Sequence, residues 1–491
     1  MSDASASGSK PAIAPAISPA AAPASTTRST RRYDRSIIEG PLKSAVWKLA
    51  LPTMLTNIIG GMQGIVDHVM VGRVVHANGN AAIGVAWQIF LVVVVFIASV
   101  FGGMGVLIAR FVGAGEADKV DRVVYQAFLT AIGMSLFILA PIGYFAAPAL
   151  LDFVNAAPAV KEQALPFLRI MFVFSAGNLV FFMLGGALRA AGDAKTPMKI
   201  GITMTALNIA LNVVLIGGLG PIPAFGTAGA AMGTCTAATL VSSYALWRLW
   251  RGGWVVSFPK GEGYAPDWDI IRSLFRFGLP TGIQGIAMNV GGVLMLSFIG
   301  SLAASAASQA AFAVSYGQLF SFVTWTATGL MGAAAAVAGQ NLGAKQPDRA
   351  ATAVKIAARI GLAGAAFLGL FFFFLPEQLL GVFGLNEPDV VAIGTQLLRV
   401  LSVSGLFITV ALTYTGGLQG TGDTKSPLYI SIVSQVVVPL GICSVIKATG
   451  QLDPIDIWVA ILIGHITRCA LSVLRFNQGK WRNIKVDIAK H

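Results

Sequence analysis

Four residues in the first half of the chain have the types and spacing of an ion site: Asp67, Asn208, Asn212 and Thr234. Asp67, in Gly64-Ile65-Val66-Asp67-His68, is the carboxylate set deepest in an apolar stretch. An acid at the centre of a membrane helix costs about 2.5–3.5 kcal/mol on insertion scales, so it usually faces a cavity and serves a function. The plainer reading is a helix-end cap near the outer headgroups. Asn208 and Asn212 stand four apart, hence on one helical face. Two amides in an apolar helix need partners, which can be a neighbouring helix, water or an ion. Thr234 adds a hydroxyl. One carboxylate, two amide oxygens and a hydroxyl suit a hard monovalent cation such as Na+, or a hydrated proton-binding pocket. His68 adjoins Asp67 but points about 100° around the helix, which makes it a poor direct partner.

A second group is neutral. Gln63, Gln88, Gln284, Asn289, Tyr316 and Gln318, with Gln309 and Trp325, offer polar and aromatic contacts for a substrate cavity. Interhelical hydrogen bonding explains most of them equally well. The chain has no Walker motif, no Cys/His metal cluster and no nucleophile elbow. The expectation is therefore a protein that is not an enzyme. It needs no cofactor apart from a coupling ion, Na+ or H+, and no metal beyond a Na+ at Asp67.

The elements that must hold these residues are membrane helices. Of 491 residues, 55% are hydrophobic and 11% charged, against about a quarter charged in soluble domains. The apolar segments are long and continuous rather than alternating, which favours helices over strands. Twelve spans are expected, at roughly 44–72, 82–110, 121–148, 162–190, 197–219, 228–251, 270–299, 307–340, 350–376, 391–419, 427–449 and 455–477. Pro52 and Pro280 lie inside the first span of each half and predict a bend there.

The net charge of +13 does not point to nucleic acid, because Lys and Arg gather at the helix ends of one side. That asymmetry places both termini in the cytoplasm. Arg468 is counted there too, at the start of a basic C-terminal end. Cys235, Cys443 and Cys469 all fall in apolar segments and read as small core residues.

The chain carries one half-protein twice. GALRAAGDAKTPMKIGI at 186–202 returns as GGLQGTGDTKSPLYISI at 416–432, a shift of 230 (416 − 186). Leu51-Pro52 returns as Leu279-Pro280. Duplication of six spans predicts two bundles related by a pseudo-two-fold axis along the membrane normal, with a cavity between them. The segments are a disordered cytoplasmic tail over 1–43 and an N-terminal six-helix bundle over 44–251. A flexible cytoplasmic linker over 252–269, a C-terminal bundle over 270–478 and a cytoplasmic tail over 479–491 follow. Aligning Pro52 with Pro280 sets Met295 opposite Asp67, so the acid belongs to one half alone.

These motifs resemble the multidrug and toxic compound extrusion (MATE) family, of bacterial type. The resemblance rests on Leu51-Pro52 through Asp67 to Gly72, Arg110-Phe111-Val112-Gly113-Ala114-Gly115 and the Leu188-Arg189…Gly192-Asp193…Thr196-Pro197 turn. Leu207-Asn208 and Leu211-Asn212, Gly339-Gln340-Asn341-Leu342-Gly343-Ala344 and Gly417-Leu418-Gln419-Gly420…Gly422-Asp423 complete it. It implies twelve helices in two bundles around a V-shaped cavity, and efflux of mostly cationic, amphipathic compounds driven by H+ or Na+. It also implies a coupling-cation site at Asp67, Asn208, Asn212 and Thr234. A lipid-linked saccharide flippase of the same superfamily is the alternative. It would present intramembrane Arg or Lys to a pyrophosphate, for which Arg169, Arg359 and Arg399 are the candidates. The expected partners are a small-molecule substrate and the lipid bilayer, without nucleic acid, and the expected state is a monomer in the cytoplasmic (inner) membrane.

Overall fold

The computed structural model describes residues 33–74, 76–154, 156–259, 261 and 264–486. Twelve long helical segments carry the fold. In the first half these are α1 (Leu42–Val74), α2 (His76–Ala114), α3 (Ala117–Phe153), α4 (Pro158–Val173 with Ala176–Ala190), α5 (Lys195–Gly217) and α6 (Gly226–Trp250). The second half supplies α7 (Trp268–Gly300), α8 (Ser305–Gly343), α9 (Pro347–Phe374), α10 (Pro388–Gly420), α11 (Lys425–Thr449) and α12 (Pro454–Asn477).

Ten of these are long and apolar enough to cross a membrane, and the bent α4 makes eleven. The remaining helix, α6, has 25 residues, but its Gly, Ser and Thr dilute the apolar content. That dilution serves packing. Gly229 and Gly233, four apart on α6, lie so close to α5 that a Cβ on either would overlap the Leu215 carbonyl or the Asn212 amide. Small residues at this spacing let membrane helices approach closely.

One sharp break falls where no proline predicts it. Both α1 and α7 run unbroken through Pro52 and Pro280. Thr53 and Thr56 donate to the Leu49 and Pro52 carbonyls at 2.7 Å, which ties α1 together around the missing proline N–H. The break falls in α4 instead, by 55° between Val173 and Ala176. There the buried Ser175 hydroxyl bonds that of Ser135 on α3 at 2.8 Å.

The duplication is visible atom by atom. Gly192 (φ +97°) and Gly422 (φ +99°) end α4 and α10. The next residue's N–H, of Asp193 and Asp423, bonds the Leu188 and Leu418 carbonyls, each at 2.9 Å, a helix-ending motif that favours glycine at positive φ. Each aspartate then accepts from the start of the following helix, from Thr196 N at 3.0 Å and Ser426 N at 3.2 Å. The two bundles meet through a contact that each makes in the same way. A Cβ on Gly113 would overlap the Gln340 carbonyl, and one on Gly343 would overlap the Arg110 carbonyl. Gly343 and Gln340 are Gly113 and Arg110 shifted by 230 (343 − 113; 340 − 110). Such exchange of equivalent residues is the mark of a two-fold contact.

Three boundaries expected from the sequence change. Residues 33–43 are not a loose tail. Ile37 is fully buried, its carbonyl accepts from Asn341 Nδ2 at 3.2 Å, and the Gly40 carbonyl accepts from Arg349 at 2.8 Å. The linker is likewise not flexible where it is described. Asp121 of α3 accepts from Ser257 N and Oγ at 3.0 and 2.9 Å, and Gln126 bonds both Ala265 O and Asp267 N. Buried polar partners at both ends hold it to α3. After α12, Trp481 is buried and Arg110 of the first bundle donates to the Ile484 carbonyl. Residues 1–32 and 487–491 lie outside the described part.

The hydrophobic cores cross the boundary as well. Ala45, Val46, Leu49 and Ala50 of α1 pack with α8, α9 and α10. Ile270, Leu274 and Phe277 of α7 pack into the first bundle's core. Each bundle's leading helix therefore begins against the other bundle.

A candidate ion and ligand site in the first bundle

The structure brings the four sequence-identified residues into one hydrogen-bonded chain. Asn212 Nδ2 donates to Asp67 Oδ1 at 2.8 Å and to Asn208 Oδ1 at 3.2 Å. Asn208 Nδ2 donates to Thr234 Oγ1 at 3.0 Å, and that hydroxyl donates to the Ala230 carbonyl at 3.0 Å. Three helices contribute, α1, α5 and α6. Asn208 and Asn212 are fully buried, and Asp67 sits about two turns from the end of α1. The close α5–α6 approach at Gly229 and Gly233 sets Thr234 against Asn208. Asn212 Oδ1 has no hydrogen-bond donor among the described residues. A buried carbonyl oxygen in that state, one bond from a carboxylate, is an acceptor suited to a cation.

The chain opens on a cavity of about 810 Å³ lined by α1, α2, α4, α5, α6 and α8. Asp67, Gln63 and Thr234 reach it, and Trp325 and Thr328 enter from the second bundle. Trp325 fits only because Gly61 faces it, since a Cβ there would overlap the indole. Asn57 Nδ2 ties α1 to the Trp325 carbonyl at 3.2 Å, and Gln63 Oε1 accepts from Thr205 at 2.9 Å. The rest of the wall is largely apolar and aromatic, with Phe90, Phe167, Phe181 and Phe182.

Of the residues expected to line a cavity, Gln88, Gln284, Asn289, Tyr316 and Gln318 are not among those lining this one. Gln88 and Gln318 are exposed. Gln284 is buried glue in the second bundle, donating to Ser431 Oγ at 2.7 Å and accepting from Gln419 at 3.2 Å. Asn289 bonds the Gly285 carbonyl at 2.9 Å, and Tyr316 stacks on Phe312 with centroids 4.9 Å apart. The His68 side chain lies outside the described residues. Arg189 and Asn178 are among the lining residues that the sequence reading did not single out. Arg189 stands in the last turn of its helix, where a charge reads as interfacial. Asn178 had a legible signal, a lone amide in an apolar run.

Met295, opposite Asp67 in the repeat, is buried in an apolar cluster. Among the described residues no group of three or more His, Cys, Asp or Glu is placed to hold a metal ion.

Two packed six-helix bundles, with a mostly apolar cavity that holds a carboxylate in the first, define a membrane transporter of the two-bundle class. The profile of the MatE family matches twice, over residues 52–214 and 280–443, and the chain belongs to that family. It is 26% identical over 447 residues to the probable multidrug resistance protein NorM of Thermotoga maritima, covering 90% of this chain and 93% of that protein. To the multidrug resistance protein MdtK of Edwardsiella ictaluri it is 24% identical, covering 87% and 93%. Among solved structures, a MATE protein in complex with MaL6 superposes with a TM-score of 0.84 at 20% identity, over 91% of this chain and 99% of that one.

Proposed function

We propose that this chain is a cation-coupled antiporter that exports amphipathic, mostly cationic compounds across the cytoplasmic membrane by alternating access. Both termini are on the cytoplasmic side in this reading. The coupling ion is Na+, with H+ as the other member of the pair. The observation that carries the reading is the Asp67–Asn212–Asn208–Thr234 chain, with the Asn212 Oδ1 acceptor beside it. A proton needs the carboxylate alone, whereas Na+ draws on several oxygens.

A single carboxylate beside an apolar cavity cannot neutralise an inward-moving cation and a cationic drug at once. Mutual exclusion of the two is the basis of exchange. Helix α1 links this event to the bundles, because its outer part carries Asp67 while its first turns are packed in the second bundle. A ligand moves such an equilibrium only by binding the two states unequally. The relatives named as multidrug resistance proteins support the substrate class. A pyrophosphate-bearing lipid would need several cationic groups, and Arg189 is the one Lys or Arg among the lining residues.

The test is efflux of ethidium or norfloxacin from cells expressing the parent or Asp67→Asn at matched levels. We expect normal membrane insertion and loss of active efflux in the variant. Efflux equal to the parent's would refute the assignment.

A further inference from the structure

Arg468 lies nine residues from the end of α12 (477 − 468), about 14 Å along the helix and so near mid-membrane. It is 2% exposed. Among the described residues no carboxylate pairs with it, and its Nε has no acceptor. Its neighbours are donors or aromatic rings rather than acids. Tyr316 and His465 lie within its electrostatic reach. His465 Nδ1 is hydrogen-bonded to the buried Ser404 hydroxyl, and its ring stacks on Phe320. One aromatic wall runs Trp458–Phe312–Tyr316–Phe320. Ser472 Oγ, one turn along α12 from Arg468, and Ser315 Oγ, next to Tyr316, are buried without partners among the described residues.

A guanidinium buried without a counter-charge is strongly disfavoured, and unpaired N–H and O–H groups around it add to the cost. A negative ion beside Arg468 would supply the missing counter-charge and accept from the nearest of these donors. The backbone is also unusual here. Ser315 and Tyr316 sit in a π-helical turn, Ala313–Leu319, where the equivalent stretch of α2 is regular α-helix. Such turns gather at functional sites because they re-aim side chains.

We infer that the second bundle binds one small monovalent anion, of chloride size, at Arg468, with Tyr316 and the Ser472 hydroxyl as further donors. Burial of nearly all of Arg468, outside the lining of the large cavity, argues for an inorganic ion over an anionic drug. The ion holds α12 against α8 and α10 across the mid-membrane layer. This inference is independent of the coupling role of Asp67.

Equilibrium binding of radioactive chloride to the purified full-length protein in detergent tests it, with Na+ held constant and gluconate as the replacing anion. The parent should bind about one chloride per chain, and thermal unfolding should shift upward with the same saturation. Arg468→Met should abolish both effects. If that variant does not fold, Tyr316→Phe should weaken chloride binding about tenfold, as loss of one hydrogen bond to an ion does. Acetate competing better than chloride would mean an organic carboxylate site and overturn the chloride-sized assignment. No chloride bound by the parent, or equal binding in the variants, would overturn the site itself.

Discussion

The two bundles descend from one sequence, yet only the first holds a carboxylate beside its cavity. The first holds a carboxylate, Asp67, in a chain of amides beside an 810 Å³ cavity. The second holds a guanidinium, Arg468, in a closed layer of aromatic rings and hydroxyls. Where Asp67 stands in one half, Met295 packs in an apolar cluster in the other. What stayed common is geometry: the Gly-Asp turns, the reciprocal Gly113 and Gly343 contacts, and the cation–π pairs of Arg169 on Tyr144 and Arg399 on Phe373. Duplication preserved what both halves need in order to pack and pivot. The polar interior, which neither half needs for packing, was free to diverge. On the proposed reading, such divergence leaves one coupling site per molecule.

If geometry is shared, damage to it should be symmetric. Gly113→Ala and Gly343→Ala each push a methyl into a backbone carbonyl of the opposing bundle. Overpacking of this kind costs about 1–3 kcal/mol, and the carbonyl has little room to yield. Thermal unfolding of the purified variants should show large, matched losses. A marked loss in one and none in the other would break the two-fold picture of the interface.

If the polar interiors differ, damage to them should be asymmetric. Asn212→Ala removes an amide bonded to Asp67, and bonds to charged groups contribute about 1.5–3 kcal/mol. The Na+ concentration giving half-maximal efflux should therefore rise about tenfold or more. Gln284→Ala removes a neutral network in the second bundle. Its expected effect is smaller, a stability loss of about 0.5–1.5 kcal/mol with the Na+ requirement unchanged. A shifted Na+ requirement in Gln284→Ala would extend the coupling site into the second bundle.

How much of this was legible from the sequence depends on which interaction decided each feature. Spacing put only Asn208 and Asn212 on one face, and their meeting with Asp67 came from the family resemblance, whereas the repeat and the span positions could be read directly. The bend in α4 could not. It follows from a tertiary contact between Ser175 and Ser135, while Pro52 sits in a helix whose turns the Thr53 and Thr56 hydroxyls tie together. Arg468 was misplaced for a similar reason. Near the end of the last span it counts as an interfacial charge, and only the helical face it shares with Trp458, His465 and Ser472 shows that it points inward. The packed linker was hidden too, since its partners Asp121 and Gln126 lie more than 130 residues away. Its glycines and prolines suggested flexibility that those hydrogen bonds remove.

The central claim is that Asp67 couples ion entry to export. It is tested most directly in inside-out vesicles containing the purified protein, with Na+ and H+ gradients imposed separately. The parent should accumulate ethidium when a Na+ gradient runs outward from the lumen, and Asp67→Asn should accumulate none under either gradient. Accumulation by Asp67→Asn at the parent's rate, against a concentration gradient, would contradict the account.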